Sequence, residues 1–309
     1  MTTLLYTHPI FSRHETPPGH PEHGGRYDAV DNILNSERFA HLEKRIPPLA
    51  TAEQIERVHT NAYRQVVEDN APAEGVAQFD ADTFMGPSSM EAALRAAGGA
   101  VAAVDAVFAG DAKNAFVAAR PPGHHAEPER AMGFCFFNSA AIAAHHARAK
   151  HGATHIAVLD FDVHHGNGTE AAFWHDENAF YASSHEWPQY PGTGRPSDRG
   201  AFDNIANATL ASGTGGSEFR RAWGETLLPA LSDFAPEFIV ISAGFDAHAA
   251  DPLGGLNLTE ADFAWATAEI AAVARDKAQG RLISLLEGGY DTDALALSAA
   301  AHVASLMNV

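Results

Sequence analysis

The chain has 309 residues, 46% hydrophobic and 19% charged, enough to bury the core of one large α/β domain or two small ones. Its 39 acidic residues against 20 Lys and Arg leave a formal charge of −19, which argues against nucleic acid or an anionic membrane as a direct partner. A single cysteine, Cys135, excludes an intramolecular disulfide and a thiolate zinc cluster. The N-terminus lacks a signal-peptide pattern and no stretch approaches a membrane span, so a reducing cytoplasm is the expected compartment.

Residues 4–8 read as a first strand. The loop HETPPGHPEHGGR that follows, dense in His, Pro and Gly up to Arg26, is a candidate site rim. A helix with an apolar stripe at Ala29, Val30, Ile33 and Leu34 comes next. Residues 51–70 predict one helix capped by Thr51, residues 79–89 a loop carrying Asp80 and Asp82, and residues 89–109 an Ala-rich helix whose Gly98-Gly99 permits close packing. A strand over 114–119 empties into ARPPGHHAEPERAMGFCFFN. Its Pro-Pro-Gly turn puts His124 and His125 at the C-terminal edge of the sheet, where adjacent imidazoles meet different partners in acid–base work. His145-His146, on a helix over 138–150, read instead as a solvated face. Phe134 is assigned to a tunnel wall, Phe136 and Phe137 to the core.

The chain is organised around LDFDVHHGNGT. The apolar strand 155–159 ends by presenting Asp160, Asp162, His164 and His165, then breaks into Gly166-Asn167-Gly168. Asp162 and His164 lie two apart and share a face in an extended segment, a partial ligand set for a borderline metal such as zinc. Residues 171–175 continue as a short helix. A strand over 180–184 leads to a Pro- and Gly-rich loop offering Tyr190, and residues 218–233 form a helix. The all-apolar strand 238–242 ends near Asp246, a helix over 259–278 follows, and the strand 282–286 leads to Glu287-Gly288-Gly289-Tyr290, whose glycines let the backbone approach the site and aim a phenol into it.

Chemistry always follows a strand, and open α/β sheets bind ligands beyond the carboxyl ends of their strands. A single-domain hydrolase over residues 1–309 with an Asp, His, Asp metal triad is the economical reading. No dinucleotide fingerprint, phosphate-loop lysine or nucleophile elbow competes with it.

RPPGHHA, GFCFFN, DFDVHHGNGT, PGTG, SAGFDAHAADPLGG and LEGGY, in that order, with HPEHGGR before them, resemble the zinc-dependent histone deacetylase and acetylpolyamine amidohydrolase superfamily, in particular its class II branch, which includes bacterial members. The resemblance implies the arginase/deacetylase fold, a central mostly parallel β-sheet flanked by helices on both faces. It also implies removal of acetyl or other short acyl groups from amines by metal-activated water. Asp162, His164 and Asp246 resemble the zinc ligands, and Fe²⁺ suits the same donors. His124 and His125 resemble the catalytic histidines, with Asp160 orienting His124 and Asn167 facing His125. The neutral Asn leaves His125 less basic. Tyr290 would stabilise the oxyanion, and a Tyr there implies a competent enzyme. Gly133, Phe134, Tyr190 and Leu253 would line the substrate tunnel, with Arg26 below it near the acetate exit. A structural K⁺ would be held by Asp160, Ser183 and Ser184 with carbonyls of Asp162 and His164.

Leu253 stands where polyamine-specific members carry an acidic gatekeeper, which favours small-molecule or peptide acyl-lysine-like substrates over acetylpolyamines. The acidic chain and Asp82 speak for the cation. An arginase-type ureohydrolase with two Mn²⁺ fits His165 and Asn167 poorly, and an inactive metal-binding module fits poorly with Tyr290 and both histidines. A homo-oligomer is compatible with the sequence.

Overall fold

The computed structural model describes residues 2–309. The strands are β1 (Thr2–Tyr6), β2 (Glu43–Arg45), β3 (Ala77–Gln78), β4 (Phe84–Met85), β5 (Ala112–Val117), β6 (Ile156–Asp160), β7 (Ala179–Glu186), β8 (Ile205–Leu210), β9 (Phe238–Ala243) and β10 (Leu282–Leu286). The α-helices are α1 (Gly24–Leu34), α2 (Ala52–Ile55), α3 (Asn61–Asp69), α4 (Ser89–Ala109), α5 (Ser139–His151), α6 (Asn167–Phe173), α7 (Gly216–Ala222), α8 (Leu228–Phe234), α9 (Glu260–Lys277) and α10 (Thr292–Met307). Eight strands form one sheet in the order β2-β1-β5-β10-β9-β6-β7-β8, and every pairing in it is parallel. Strands β3 and β4 pair antiparallel, as a separate small hairpin.

Helices cover both faces, so the central strands carry apolar residues toward both sides and alternate residues go to opposite cores. From β6, Ala157 and Leu159 enter a core with α1, α9 and α10, whereas Ile156 and Val158 enter another with α4 and α5. The register aligns the strand ends: Asp160 pairs with Ser183 of β7 and Ser242 of β9, and Leu286 of β10 with Ala243. The segments leaving β5, β10, β9, β6 and β7 therefore emerge side by side along one edge, where chain order along the sheet reverses.

Several expectations are corrected. The helix expected over 51–70 is two helices, each with its own cap: Thr51 makes a capping box with Gln54, and the Thr60 side chain accepts from the Tyr63 amide. The break between them buries His59, whose ring bonds the Glu127 carbonyl and the Asn138 amide behind the tandem-histidine loop. The helix expected over 218–233 winds as a π-helix at Trp223–Leu227, which turns the Trp223 indole N–H onto Ser184 Oγ at 2.9 Å. The loop expected over 79–89 contains half of the small hairpin. The first strand ends at Tyr6, and that expected over 114–119 runs Ala112–Val117. The short helix expected over 171–175 starts earlier, at Asn167. His146 is not on a solvated face: it is buried against Asp105. The edge strands β2 and β8 and the last helix, α10, had no counterpart in the sequence reading.

Gly98 packs α4 against the segment after β2, where an added Cβ would fall on the backbone of Pro48, Leu49 and Ala50. Exposed Gly224 has nothing within 4 Å of such a Cβ. Helix propensity alone favours Ala over Gly by about 1 kcal/mol, so overpacking must reverse the sign at Gly98. Gly98→Ala is expected to destabilise by about 1–3 kcal/mol and Gly224→Ala to be neutral or stabilising, as read from denaturant midpoints.

Candidate active site

Strand β6 delivers Asp160 fully buried at its last position. Asp160 Oδ2 accepts from His124 Nδ1 and from the Tyr181 hydroxyl, both at 3.0 Å, and Oδ1 accepts from the Asp162 amide. Asp162 turns the other way. Its Oδ1 accepts from the His164 amide at 3.0 Å and its Oδ2 from the Gly288 amide at 2.9 Å. Asp246, beyond the end of β9, accepts from the Val163 amide at 2.8 Å. His164 Nδ1 faces both carboxylates, 3.2 Å from Asp162 and 3.1 Å from Asp246. One donor atom from each of these three buried residues lies within 4.8 Å of the others. Gly244 and Gly288 make this possible, since a Cβ at 288 would strike both carboxylates and one at 244 would strike Asp162.

The electrostatics are those of concentrated negative charge. Burial and the neighbouring Asp162 push the Asp246 carboxyl up to about 7. Burial opposes charge on His164, but its bonds to Asp162 and Asp246 push its pKa up to about 10. Burial likewise opposes charge on His124, yet Asp162 and Asp160 raise its pKa well above the ordinary value. His125 goes the opposite way, held well below by burial and by the charges on His124 and His164. The two rings lie 4.0 Å apart. His125 Nδ1 meets Asn167 Oδ1 at 2.8 Å, and the Asn167 amide nitrogen donates to Glu127 Oε1 at 2.7 Å. That second bond fixes the amide so that its oxygen faces His125. The ring then carries its proton on Nδ1 and keeps Nε2 as an acceptor.

These groups open into a cavity of about 360 Å³ whose lining includes His125, His164, Gly133, Phe134, Tyr190, Leu253 and Tyr290. His124 is not in that lining. Gly133 has φ +55° and its Cα lies against the His125 ring, leaving no room for a Cβ. Phe134 holds φ 68°, rare for a bulky residue, and its amide is fixed by a 3.0 Å bond to Thr83 Oγ1 of the hairpin turn. Its ring meets Tyr290 edge-on at 5.8 Å and His20 at 4.8 Å. Tyr190 meets His125 edge-on at 5.1 Å. His20, Pro21, Ala81, Asp82, Phe84 and Gln189 complete the wall. Burial and Asp80 push the Asp82 carboxyl up to about 6.

Tyr290 stays protonated, since burial raises its pKa well above the ordinary value. Arg26 lies under its ring, 4.8 Å from the centre, and donates to the carbonyls of Glu287 and Gly289. It is fully buried and does not line the cavity. Ser183 and Ser184 are consecutive in β7 and point to opposite faces: Ser183 Oγ bonds His185, and Ser184 Oγ is taken by Trp223. Their hydroxyls cannot converge on one ion.

Sequence reasoning missed the groups that hold these residues. Buried Glu287 accepts from the Gly123 and His124 amides and from Ser242. Glu127, Tyr181 and Asp251 were missed as well, Asp251 accepting from the Tyr290 amide at 2.6 Å. Only Glu287 carried a signal, as a carboxylate at an apolar strand end before two glycines.

The histone deacetylase domain family matches residues 20–306. A probable deacetylase of Archaeoglobus fulgidus is 37% identical over 302 residues, covering 95% of this chain and 82% of that protein. A histone deacetylase-like amidohydrolase of Pseudomonas aeruginosa is 40% identical over 278 residues, covering 88% and 73%. The crystal structure of the HDA15 HD domain superposes with a TM-score of 0.94 at 32% identity, covering all of this chain and 89% of that one. With its parallel sheet and the site at the sheet's edge, the chain belongs to the histone deacetylase family and is a hydrolase of acyl-amides.

Proposed function

We propose that Asp162, His164 and Asp246 hold one divalent ion, Zn²⁺ in preference to Fe²⁺, and that the enzyme deacylates acyl-lysine or related acyl-amines in the adjoining cavity. The observation that carries this is a buried imidazole caught between two buried carboxylates at a cavity wall. Two ionised carboxylates this deep need a cation to balance them, and two oxygens with one nitrogen suit a borderline ion with a position left open. Such an ion, when bound, supplies Lewis acidity toward an amide carbonyl and a water.

The chain's own groups supply the proton transfers. His125 faces the cavity with Nε2 free and takes the proton from the attacking water. The charge on His124, held by Asp160, makes protonated His125 a strong acid, so it gives the proton on to the departing amine. Tyr290 donates its hydroxyl to the oxygen that gains charge, and Arg26 holds the loop that aims it. Phe134 and Tyr190 exclude water from the acyl chain. A K⁺ near Asp160, with Ser183 and main-chain carbonyls of Asp162, His164 and Ser184, would brace the strand end bearing two of the ligands.

Leu253 gives the mouth a neutral side, which favours peptide-like acyl-lysine. A second reading, acetylpolyamine deacetylation, rests on Asp82 in the same lining. Four measurements test the proposal. Asp246→Asn should lose most of the bound metal and all measurable turnover. Tyr290→Phe should keep its metal while kcat falls about 10²–10³-fold, and an undiminished kcat would remove Tyr290 from the chemistry. Comparing kcat/KM on acetyl-lysine peptides, acetylspermidine and acetylputrescine should favour the peptides, and a polyamine preference would assign selection to Asp82. Asn167→Asp places a carboxylate on His125 and should move the acid limb of the kcat/KM profile to higher pH by roughly one unit. A limb that stays in place would mean that His125 is not the base.

A further inference from the structure

Toward the C-terminal ends of α4 and α5, which lead into the starts of β5 and β6 rather than the strand ends that carry the candidate active site, a second His and Asp cluster is used by none of the chemistry above. Asp105 of α4 stands between His146 and His151 of α5. Its Oδ1 lies 2.8 Å from His146 Nε2 and 2.6 Å from His151 Nε2. One donor atom from each residue lies within 4.8 Å of the others. His146 is buried, and the Asp105 side chain is 49% exposed, so the cluster is held on one side and open to solvent on the other.

The hydrogen bonds define how the cluster is occupied by protons. Arg57 NH1 lies 2.8 Å from His146 Nδ1, and a guanidinium only donates, so Nδ1 accepts and the ring proton sits on Nε2, directed at Asp105. His151 Nε2 likewise donates to the same oxygen. Two N–H groups thus converge on one carboxylate oxygen, the arrangement that a cation replaces when both protons shift to Nδ1. His151 Nδ1 makes no protein hydrogen bond among the described residues, so its shift meets no obstacle, and stacking of the ring on Phe108 (4.6 Å, 10°) keeps Nε2 aimed. His146 is different: a proton on its Nδ1 would confront the Arg57 donor. Arg57 is also bonded to Glu53, whose side chain is 84% exposed, so it has a partner outside the cluster toward which to withdraw. Tetrahedral coordination then asks each nitrogen to move from 2.8 and 2.6 Å to roughly 3.3 Å from the Asp105 oxygen.

We propose that Asp105, His146 and His151 form an accessory site for a borderline divalent cation such as Zn²⁺, with Arg57 as its gate. The ion would cross-link α4 to α5, leaving its fourth position to water. The site is separate from Asp162, His164 and Asp246, so its failure would leave the proposed catalytic metal standing.

Equilibrium dialysis of the full chain against Zn²⁺, and then against Co²⁺ for its tetrahedral visible absorption, tests this. Wild type should take up one equivalent beyond that lost in Asp246→Asn. His151→Ala should lose the added equivalent while keeping deacylase activity, which certifies its fold. Arg57→Ala, free of the opposing donor, should bind the added ion about tenfold more tightly. Saturating Zn²⁺ should raise Tm more in wild type than in His151→Ala. An added equivalent indifferent to His151→Ala, or none in either wild type or Arg57→Ala, would overturn the proposal.

Discussion

Everything at the sheet edge answers one constraint: Asp162 and Asp246 are both buried and both face one imidazole. Buried like charges raise one another's cost and tolerate no loose partner. Each carboxylate is therefore tied by a backbone amide, Asp162 by Gly288 and Asp246 by Val163, so that the segment after one strand positions the ligand that follows another. The same proximity is why glycine is needed at 244 and 288. The parallel register serves this end, since only strand ends at equal height can exchange such bonds.

A second layer of buried charge fixes the loops. Burial pushes the Glu22 carboxyl up, but Arg120, His14 and Arg26 override it and hold the group well below the usual range. Its Oε1 accepts from Arg26 and Arg120, while Arg120 also donates to the Phe11 carbonyl. The N-terminal loop, the turn before the tandem histidines and the Tyr290 loop thus share one ionic centre. Breaking such a centre by removing one partner leaves a buried charge unpaired, which costs more than the pair itself gains. The histidine- and proline-rich loop that follows β1 is in this sense an interior strut as much as a rim.

The sequence made the site legible because its residues sit at ends of apolar strands, and strand ends of a parallel sheet share an edge. Asp162 and His164 announced themselves by spacing, and His124 and His125 by the turn before them. What stayed hidden depends on contacts distant in sequence. Glu127 becomes a partner of Asn167 only through tertiary packing across 40 residues. The break at His59 follows from a buried bond to Asn138 that no local propensity encodes. His146 read as a surface residue because a polar pair on an amphipathic helix faces solvent by default, while Asp105, which bonds it, lies on another helix. The edge strand β2 is a charged three-residue segment, with neither the length nor the apolar run that marks a central strand.

The tandem histidines show how one fold separates two chemically identical groups. His124 and His125 are adjacent in the chain and equally buried, and their rings lie 4.0 Å apart. The difference between them lies wholly in what stands behind each ring. Asp160 is a carboxylate that accepts from three donors, His124 among them, so it favours an imidazolium. Asn167 is neutral, and its amide orientation is set by Glu127 one bond further out, so it offers a dipole that fixes the tautomer without drawing a second proton. A carboxylate in both places would draw a proton toward both rings and raise the pH at which His125 becomes an acceptor facing the cavity. An amide in both would leave neither ring charged and remove the neighbour that makes His125 acidic. The division of labour between acid strength and proton acceptance thus rests on one carboxylate and one amide partner, held at the end of strand β6 and the start of α6.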